Sequence, residues 1–276
     1  MSDSPTLSPA GHVRDDSAKH AAVRQRHEQM VHLVQEMGFA TIGALAEHFD
    51  VTPQTVRRDI NTLSDLGLLQ RYHGGAGPSV STENVDYSSR QVICRAEKRR
   101  IGELCAEHIP NRSSLFINIG TTTEEVAKAL ARHSKLRVIT NNLNVAGILS
   151  DNENIEIIVA GGVIRHRDRG IVGESAVDFI KQFKVDYGII GISGVDMDGT
   201  MLDFDYREVR AAKAIMENSR KTFLVTDHTK FGRNAMVRLG SIREVHAVFT
   251  DKIPPQSVLD EMDRGDTKLF VANMVS

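Results

Sequence analysis

The sequence predicts a two-part α/β chain, on three observations. Residues 21–77 carry helical apolar spacing, punctuated by cap and turn residues and closed by a short hairpin pattern. From about Ile93 onward, short β-type runs alternate with helical patterns, which predicts a mostly parallel sheet covered on both faces. Between the two, residues 78–92 are Ser-rich and polar with little periodicity, and they read as a linker. A length of 276 residues fits two domains.

Residues 1–20 are rich in Ser, Pro and Asp and are expected to be disordered. A helix should run from about Ala21 to Met37, with Val23, His27, Met30, Val31, Val34 and Met37 on one stripe and Gly38 as its stop. Thr41 caps a second helix whose inner face is Ile42, Leu45, Ala46 and Phe49. Asp50 and Val51 turn the chain. Thr52 caps a third helix, Pro53 takes its first position and Gly67 ends it. Leu68 to His73 and Ala76 to Val80 form a hairpin around a Gly74-Gly75 turn needing positive φ.

On the third helix, Val56, Ile60 and Leu63 form the apolar face, and Gln54, Arg58 and Asn61 lie opposite, flanked by Thr55, Arg57 and Thr62. Arg can donate two hydrogen bonds to guanine, and Gln or Asn can pair likewise with adenine, so this face suits a major groove. Thr52 and the helix N-terminus suit phosphate. Arg71 and His73 on the hairpin reach backbone or minor groove, as the wing of a winged helix-turn-helix. A solvated helix face is the plainer reading of the same pattern. The predicted DNA-binding residues are Thr52, Gln54, Thr55, Arg57, Arg58, Asn61, Arg71 and His73, and the partner is double-stranded operator DNA.

The formal net charge of −2 excludes a protein that coats nucleic acid generically, and the absence of Trp argues against single-strand stacking platforms. From Arg24 to His73 the acids slightly outnumber Arg and Lys. Modest non-specific affinity and reliance on paired, sequence-specific contacts follow, and therefore a dimer or tetramer. No apolar run approaches a membrane span, and the polar, acidic start resembles no signal peptide, so no membrane partner and a cytoplasmic location are expected. Cys94 and Cys105 sit eleven residues apart in what reads as one helix from Ile93 to Ile109, about 16 Å apart at 1.5 Å per residue, too far to pair.

In the second part, strands are expected at Ser114–Asn118, Leu136–Thr140, Ile155–Ala160, Tyr187–Ile192, Lys221–Thr226 and Ala247–Thr250. Helices are expected near Glu124–Arg132, Asn144–Ser150, Ser175–Lys181, Tyr206–Asn218 and Pro255–Asp263. Ligands of such sheets bind at the carboxyl ends of strands. There Gly120, Thr121, Thr122 and Thr123 lead from strand to helix and can cradle an anion, although a capped helix start is the plainer reading. The segment lacks the Gly-Lys-Ser/Thr ending of a nucleotide loop, and Gly188 to Gly194 is no dinucleotide fingerprint. Asn141, Asn142, Gly161 and Gly162 follow other strands, and Asp186, Asp203, Asp205, Glu208, Asp227 and Lys230 come later, suited to hydroxyl recognition or proton transfer in a sugar. Asp196 to Gly199 reads as a turn and His228 as a polar loop residue, so no metal and no cofactor are expected.

The stretch VTPQTVRRDINTLSDLGLLQRYHGGA resembles the N-terminal signature of the DeoR family of bacterial transcription regulators. IGTTT, DYGIIGISGVD and TDHTKFG resemble that family's sensor domain. The resemblance implies a fold similar to ribose-5-phosphate isomerase for residues 93–276, with Gly120, Thr121, Thr122 and Thr123 as a phosphate loop and Glu208 and the Lys230 loop completing the pocket; with Asn141, Asn142, Gly161, Gly162 and Asp203 from the strand ends, these make the expected effector site. It implies a repressor released by a small phosphorylated effector, glycerol 3-phosphate or similar, with no catalytic residues. Family members often carry Lys-Arg where this chain has Ala212-Lys213, so no pocket role passes to Lys213. Two alternatives remain: another sugar phosphate as effector, and a sugar-phosphate isomerase using Glu208, Asp203 and Lys230.

Overall fold

The computed structural model describes residues 12–37, 39–66, 68–78 and 87–272. The chain divides into two units, Met1–Ser81 and Thr82–Ser276. The first runs α1 (His12–Met37), β1 (Ala40–Thr41), α2 (Ile42–His48), α3 (Pro53–Asp65), β2 (Leu69–Tyr72) and β3 (Gly75–Pro78).

Helix α1 starts at His12, well before Ala21, so the expected disorder is corrected from residue 12 onward. Residues 12–20 carry no apolar stripe to reveal a helix. Extending a helix already nucleated downstream costs far less than starting one. The rest of the expected tail lies outside the described residues, as do the expected stops Gly38 and Gly67. Of the α1 stripe, Met30, Val31 and Val34 are buried, whereas Val23 and Met37 are exposed. Leu45 and Ala46 of α2 and Val56, Ile60 and Leu63 of α3 are buried as well, and α3 packs against both other helices. Each such side chain contributes roughly 1.5–3 kcal/mol by leaving water, which fixes which face of α3 turns outward.

Thr41 caps α2, its hydroxyl accepting from Ala44 N at 3.1 Å, and Thr52 caps α3 through Thr55 N at 3.2 Å. Asp50, at φ 49°, takes the left-handed turn between them, a conformation a short polar side chain tolerates. The three strands pair antiparallel in the order β1-β3-β2. The hairpin turn is His73-Gly74, not Gly74-Gly75; Gly74 has φ 86° while Gly75 begins β3. Gly75 is needed for a different reason. A Cβ there would stand 2.3 Å from Ala40 O, so only glycine lets β1 pair beside it. The two-residue β1 gave no periodic signal in sequence.

The second unit runs α4 (Tyr87–Val92), α5 (Arg95–Glu107), β4 (Ser114–Ile117), α6 (Thr121–Leu130), β5 (Leu136–Thr140), α7 (Leu143–Leu149), β6 (Ile155–Val159), β7 (Val163–Arg165), β8 (Gly170–Val172), α8 (Glu174–Ile180), β9 (Val185–Ile190), β10 (Gly194–Val195), β11 (Thr200–Asp203), α9 (Tyr206–Glu217), β12 (Ser219–Val225), β13 (Val237–Ser241), β14 (Ala247–Thr250), α10 (Gln256–Arg264) and β15 (Lys268–Val271). Seven strands form one parallel sheet in the order β15-β14-β12-β9-β4-β5-β6. Its side chains alternate between two cores. Leu115 and Ile117 of β4 pack with Ile101, Val126 and Leu149 on one face, and Phe116 packs with Ile180, Ile190 and Ile215 on the other.

Four features depart from expectation. Part of the expected linker, residues 87–92, is helix α4 of the second unit, while 79–86 lie outside the described residues. Cys94 sits at φ 52° before α5, so the two cysteines do not share one helix; both are free. Strand β15 adds a seventh position, and β10, β11 and β13 form a small antiparallel sheet that short segments did not announce. Asp186 lies at the amino end of β9, where it accepts from Ser114 N at 2.9 Å and Ser114 Oγ at 2.7 Å, away from the strand ends expected to bind ligand.

Candidate functional sites

In the first unit, α3 presents Gln54, Arg57, Arg58 and Asn61 to solvent, with Thr55 half-buried beside them. The side chains of Gln54, Arg57 and Arg58 make no hydrogen bond or ion pair among the described residues. Four predicted residues are engaged in two pairs. The Thr52 hydroxyl is spent on its cap and lies 2.9 Å from Thr55 Oγ1. The Asn61 side-chain carbonyl accepts from Arg71 at 3.0 Å, which ties the hairpin to α3. His73 is exposed at the turn.

The acid beside these arginines points the other way. Asp59 is buried and accepts from Arg26 Nε at 2.7 Å and Arg26 Nη2 at 3.2 Å, and lies 2.9 Å from His27 Nε2. Burial alone would raise its pKa. The hydrogen bonds from Arg26 and His27 and their charges outweigh that and hold the carboxyl below its ordinary value. Asp59 thus locks α1 to α3. Sequence reading placed His27 in the apolar stripe and missed this pair, because residues 32 and 33 positions apart carry no local signal.

In the second unit, polar groups gather at the carboxyl ends of the parallel strands. The N-cap of α6 is Gly120, at φ 154°, which has no side chain to cap the helix, so the first N–H groups of this buried helix start have no side-chain acceptor. Thr121, Thr122, Thr123 and Glu124 are all buried. Thr123 is committed: its hydroxyl donates to Asn118 O at 2.8 Å and Gly120 O at 2.7 Å. Asn142 is committed too, capping α7 through Asn144 N at 2.9 Å and donating to Glu124 at 3.3 Å. Asn141 donates to Ile171 O at 3.2 Å, yet its Oδ1 is buried without a partner. Asn118 Oδ1, Thr226 Oγ1, Asp227 Oδ2 and Thr250 Oγ1 likewise lack a hydrogen-bond partner, although Asp227 Oδ2 faces Lys98 Nζ at 3.9 Å. All five follow or close a strand of the sheet, at its carboxyl edge. Buried polar atoms are nearly always paired, so this concentration makes the edge the candidate polar site.

The charged groups complete the picture. Glu208 and Asp205 accept from Arg165 at 2.6 Å and 2.8 Å, and Arg165 also holds Asp168 through two nitrogens at 2.9 Å and 2.6 Å. Burial and the nearby Asp203 charge push the Glu208 carboxyl up to about 7 despite Arg165. Burial likewise raises Asp203, which accepts from Ser193 Oγ at 3.1 Å and Phe204 N at 2.6 Å. Burial pushes the Lys230 amine down to about 7, against attraction from Asp227 and with repulsion from Arg233, Lys98 and Arg90. Asp227 is held down to about 2 because Lys230, Lys98 and the Thr229 hydroxyl outweigh its burial. Lys98 is itself buried, donating to Arg90 O at 2.5 Å and Ile93 O at 2.8 Å, with Asp227 at 3.9 Å.

Gly161 and Gly162 are exposed. A Cβ on Gly162 would meet Ile171 at 2.9 Å, so this glycine serves the turn into the β7–β8 hairpin, which carries Arg165. Lys213 is exposed on α9. His228 pairs with Asp251, its Nδ1 lying 2.6 Å from Oδ2. Sequence reading missed Tyr87, whose hydroxyl donates to Glu124 at 2.8–2.9 Å, and also Arg90, Lys98, Arg165 and Arg233. Among the described residues, no cluster of His, Cys, Asp and Glu is arranged to hold a metal, and no helix is long and apolar enough to cross a membrane.

Residues 26–82 match the DeoR-like helix-turn-helix domain, and residues 93–252 match the DeoR C terminal sensor domain. The chain is similar to the glycerol-3-phosphate regulon repressor of Escherichia coli (strain K12), 54% identical over 85% of this chain and 93% of that protein. It is 47% identical to the protein of the same name from Haemophilus influenzae, over 90% of this chain and 96% of that one. It is 41% identical to the HTH-type transcriptional repressor CsqR of Escherichia coli (strain K12), over 89% and 94%. A solved ribose 5 phosphate isomerase A from Neisseria gonorrhoeae aligns at TM-score 0.36 and 17% identity, over 49% of this chain and 52% of that one, a likeness too slight to argue from. With both domain matches in chain order and relatives aligned along nearly their whole length, the chain belongs to the DeoR family of DNA-binding transcriptional repressors.

Proposed function

We propose that this protein represses genes of glycerol 3-phosphate metabolism and is released from its operators by glycerol 3-phosphate. The observation that carries the reading is the polar edge of the sensor sheet. A buried, uncapped helix start, five buried polar atoms without hydrogen-bond partners, and the cations Lys98, Lys230, Arg90 and Arg233 suit a small molecule bearing one phosphoryl group and hydroxyls. Relatives named as glycerol-3-phosphate regulon repressors support the choice of polyol.

In this reading the backbone N–H groups of Thr121, Thr122 and Thr123 hold phosphoryl oxygens, with Lys230 as counter-charge. Asn141, Asp203 and Glu208 meet hydroxyls, and a carboxyl near neutrality can donate or accept. The site binds and releases its ligand without turnover. Gln54, Thr55, Arg57 and Arg58 read base edges in the major groove, Asn61 and Arg71 act as a joined pair, and Thr52 and His73 contact backbone. Three exposed arginines give a single reader little general affinity, so a dimer or tetramer on paired half-sites, in the cytoplasm, supplies the rest.

A thermal-shift panel of phosphorylated compounds of about three to six carbons tests the effector. Glycerol 3-phosphate is expected to stabilise the protein by RT ln(1 + [L]/Kd), about 2.7 kcal/mol at a hundredfold excess over Kd. A larger shift with another sugar phosphate would reassign the effector. No shift with any member would overturn the sensor reading.

A further inference from the structure

Arg90 lies on α4, before the residues that match the sensor domain, and outside every site residue expected from sequence. Its side chain is only 12% exposed. A buried guanidinium ordinarily has a carboxylate at hydrogen-bond distance, whereas Arg90 has only a long ion pair. The nearest, Asp168, stands 3.5 Å away and is already gripped by two nitrogens of Arg165. Arg90 Nε is buried with no partner, and the guanidinium rests over the Tyr87 ring, 5.7 Å from its centroid.

Arg233 is its companion. It makes no ion pair among the described residues; it donates to Ser193 O at 3.3 Å and lies over the Phe204 ring at 5.1 Å. Ser193 in turn donates to the buried Asp203, which places Arg233 at the same polar edge, and burial and then the charge of Arg90 push its pKa down. Helix α4 is also fastened to the N-terminal end of α6. Tyr87 donates to Glu124 in the first turn of α6, and Lys98 donates to Arg90 O. Gathering desolvated cations with spare donors costs free energy unless an anion joins them. Guanidinium groups suit that role because their fixed fork fits phosphoryl oxygens.

We propose that Arg90, with Arg233, is an anion-binding arm of the effector site and takes an oxygen of the ligand's phosphoryl group, making α4 part of the ligand site. The proposal rests on the reading of this unit as the sensor of a phosphorylated ligand. It differs from a structural role for Arg90, in which its contact with Asp168 would stabilise the unliganded fold.

The test compares Arg90→Gln and Arg90→Lys with the unaltered full chain, by calorimetric titration with glycerol 3-phosphate and with inorganic phosphate, and by unliganded Tm. Arg90→Gln should weaken binding roughly 10- to 100-fold without lowering the unliganded Tm, since it removes an ill-paired buried cation. Arg90→Lys should bind between the two, because it keeps the charge and loses the fork. Glycerol 3-phosphate affinity in Arg90→Gln equal to that of the parent, or a lowered Tm with affinity retained, would overturn the proposal. If Arg90→Gln does not fold, equal affinity in Arg90→Lys and the parent does the same. If the unaltered chain ignores glycerol 3-phosphate, the function reading fails by itself. The arginine arm then stands if millimolar phosphate binds the parent and not Arg90→Gln, and falls if both bind alike.

Discussion

On α3, Gln54, Arg57 and Arg58 stand in solvent with no side-chain partner among the described residues, while the buried Asp59 beside them is fully paired. At the carboxyl edge of the sensor sheet the arrangement is reversed. Arg90, Lys98, Lys230, Asp203 and Glu208 are largely buried, and several carry displaced pKa values or unmet hydrogen-bonding capacity. The first surface spends nothing on folding and offers weak, summed contacts. The second gathers buried cations, raised carboxyls and polar atoms without hydrogen-bond partners, the arrangement that the proposed phosphorylated polyol would satisfy. A ligand can shift a protein only by as much as its affinities for the two states differ, and satisfying such groups in one state is a source of that difference.

The largest effect should come from the buried charge of the first unit. Asp59→Ala strands Arg26 and His27 and should destabilise the unit by about 3 kcal/mol, read as loss of its thermal transition or a lowered denaturant midpoint. A change under about 0.5 kcal/mol would mean Asp59 is no lock. Next, Arg58→Ala should leave stability within about 0.5 kcal/mol and cost about 1–3 kcal/mol in operator binding if it reads a base. If it touches phosphate only, specific and non-specific binding should fall together, with the salt slope smaller by about one unit.

The smallest effect concerns protons. A lysine lowered to about 7 in the folded state binds fewer protons than its unfolded form between that value and 10.5. Its penalty on folding is therefore full below pH 7 and fades as pH rises. A bound phosphoryl dianion restores the charged form, so ligand binding at pH 8 should take up about one proton, and less near pH 6, where the amine is already charged. Titrations in buffers of different ionisation heat measure this. Unchanged uptake in Lys230→Met would remove Lys230 from the site.

The same contrast explains what was legible in sequence. Helix α3 could be read because an apolar stripe, a Thr-Pro start and an exposed polar face are all local patterns. The six core strands of the sensor unit were legible because each is a short apolar run with a turn beside it. Asp59 was not, since its partners lie on α1 and nothing in spacing says which way an acid points. Thr123 and Asn142 were picked as ligand groups by type and position, but their side chains are spent on the backbone and on capping. Helix α4 escaped because polar contacts through Tyr87 and Arg90, rather than an apolar stripe, fasten it. The wing turn lies one residue earlier than the sequence suggests, because two adjacent glycines look alike while only Gly74 needs positive φ.

The central claim is that operator and phosphorylated ligand compete through one equilibrium. The most direct measurement is reciprocal. Operator affinity is titrated with and without saturating glycerol 3-phosphate, and glycerol 3-phosphate affinity with and without saturating operator. The account predicts that both fall by the same factor, on the order of 5- to 150-fold. Ligand binding that leaves operator affinity unchanged would contradict it.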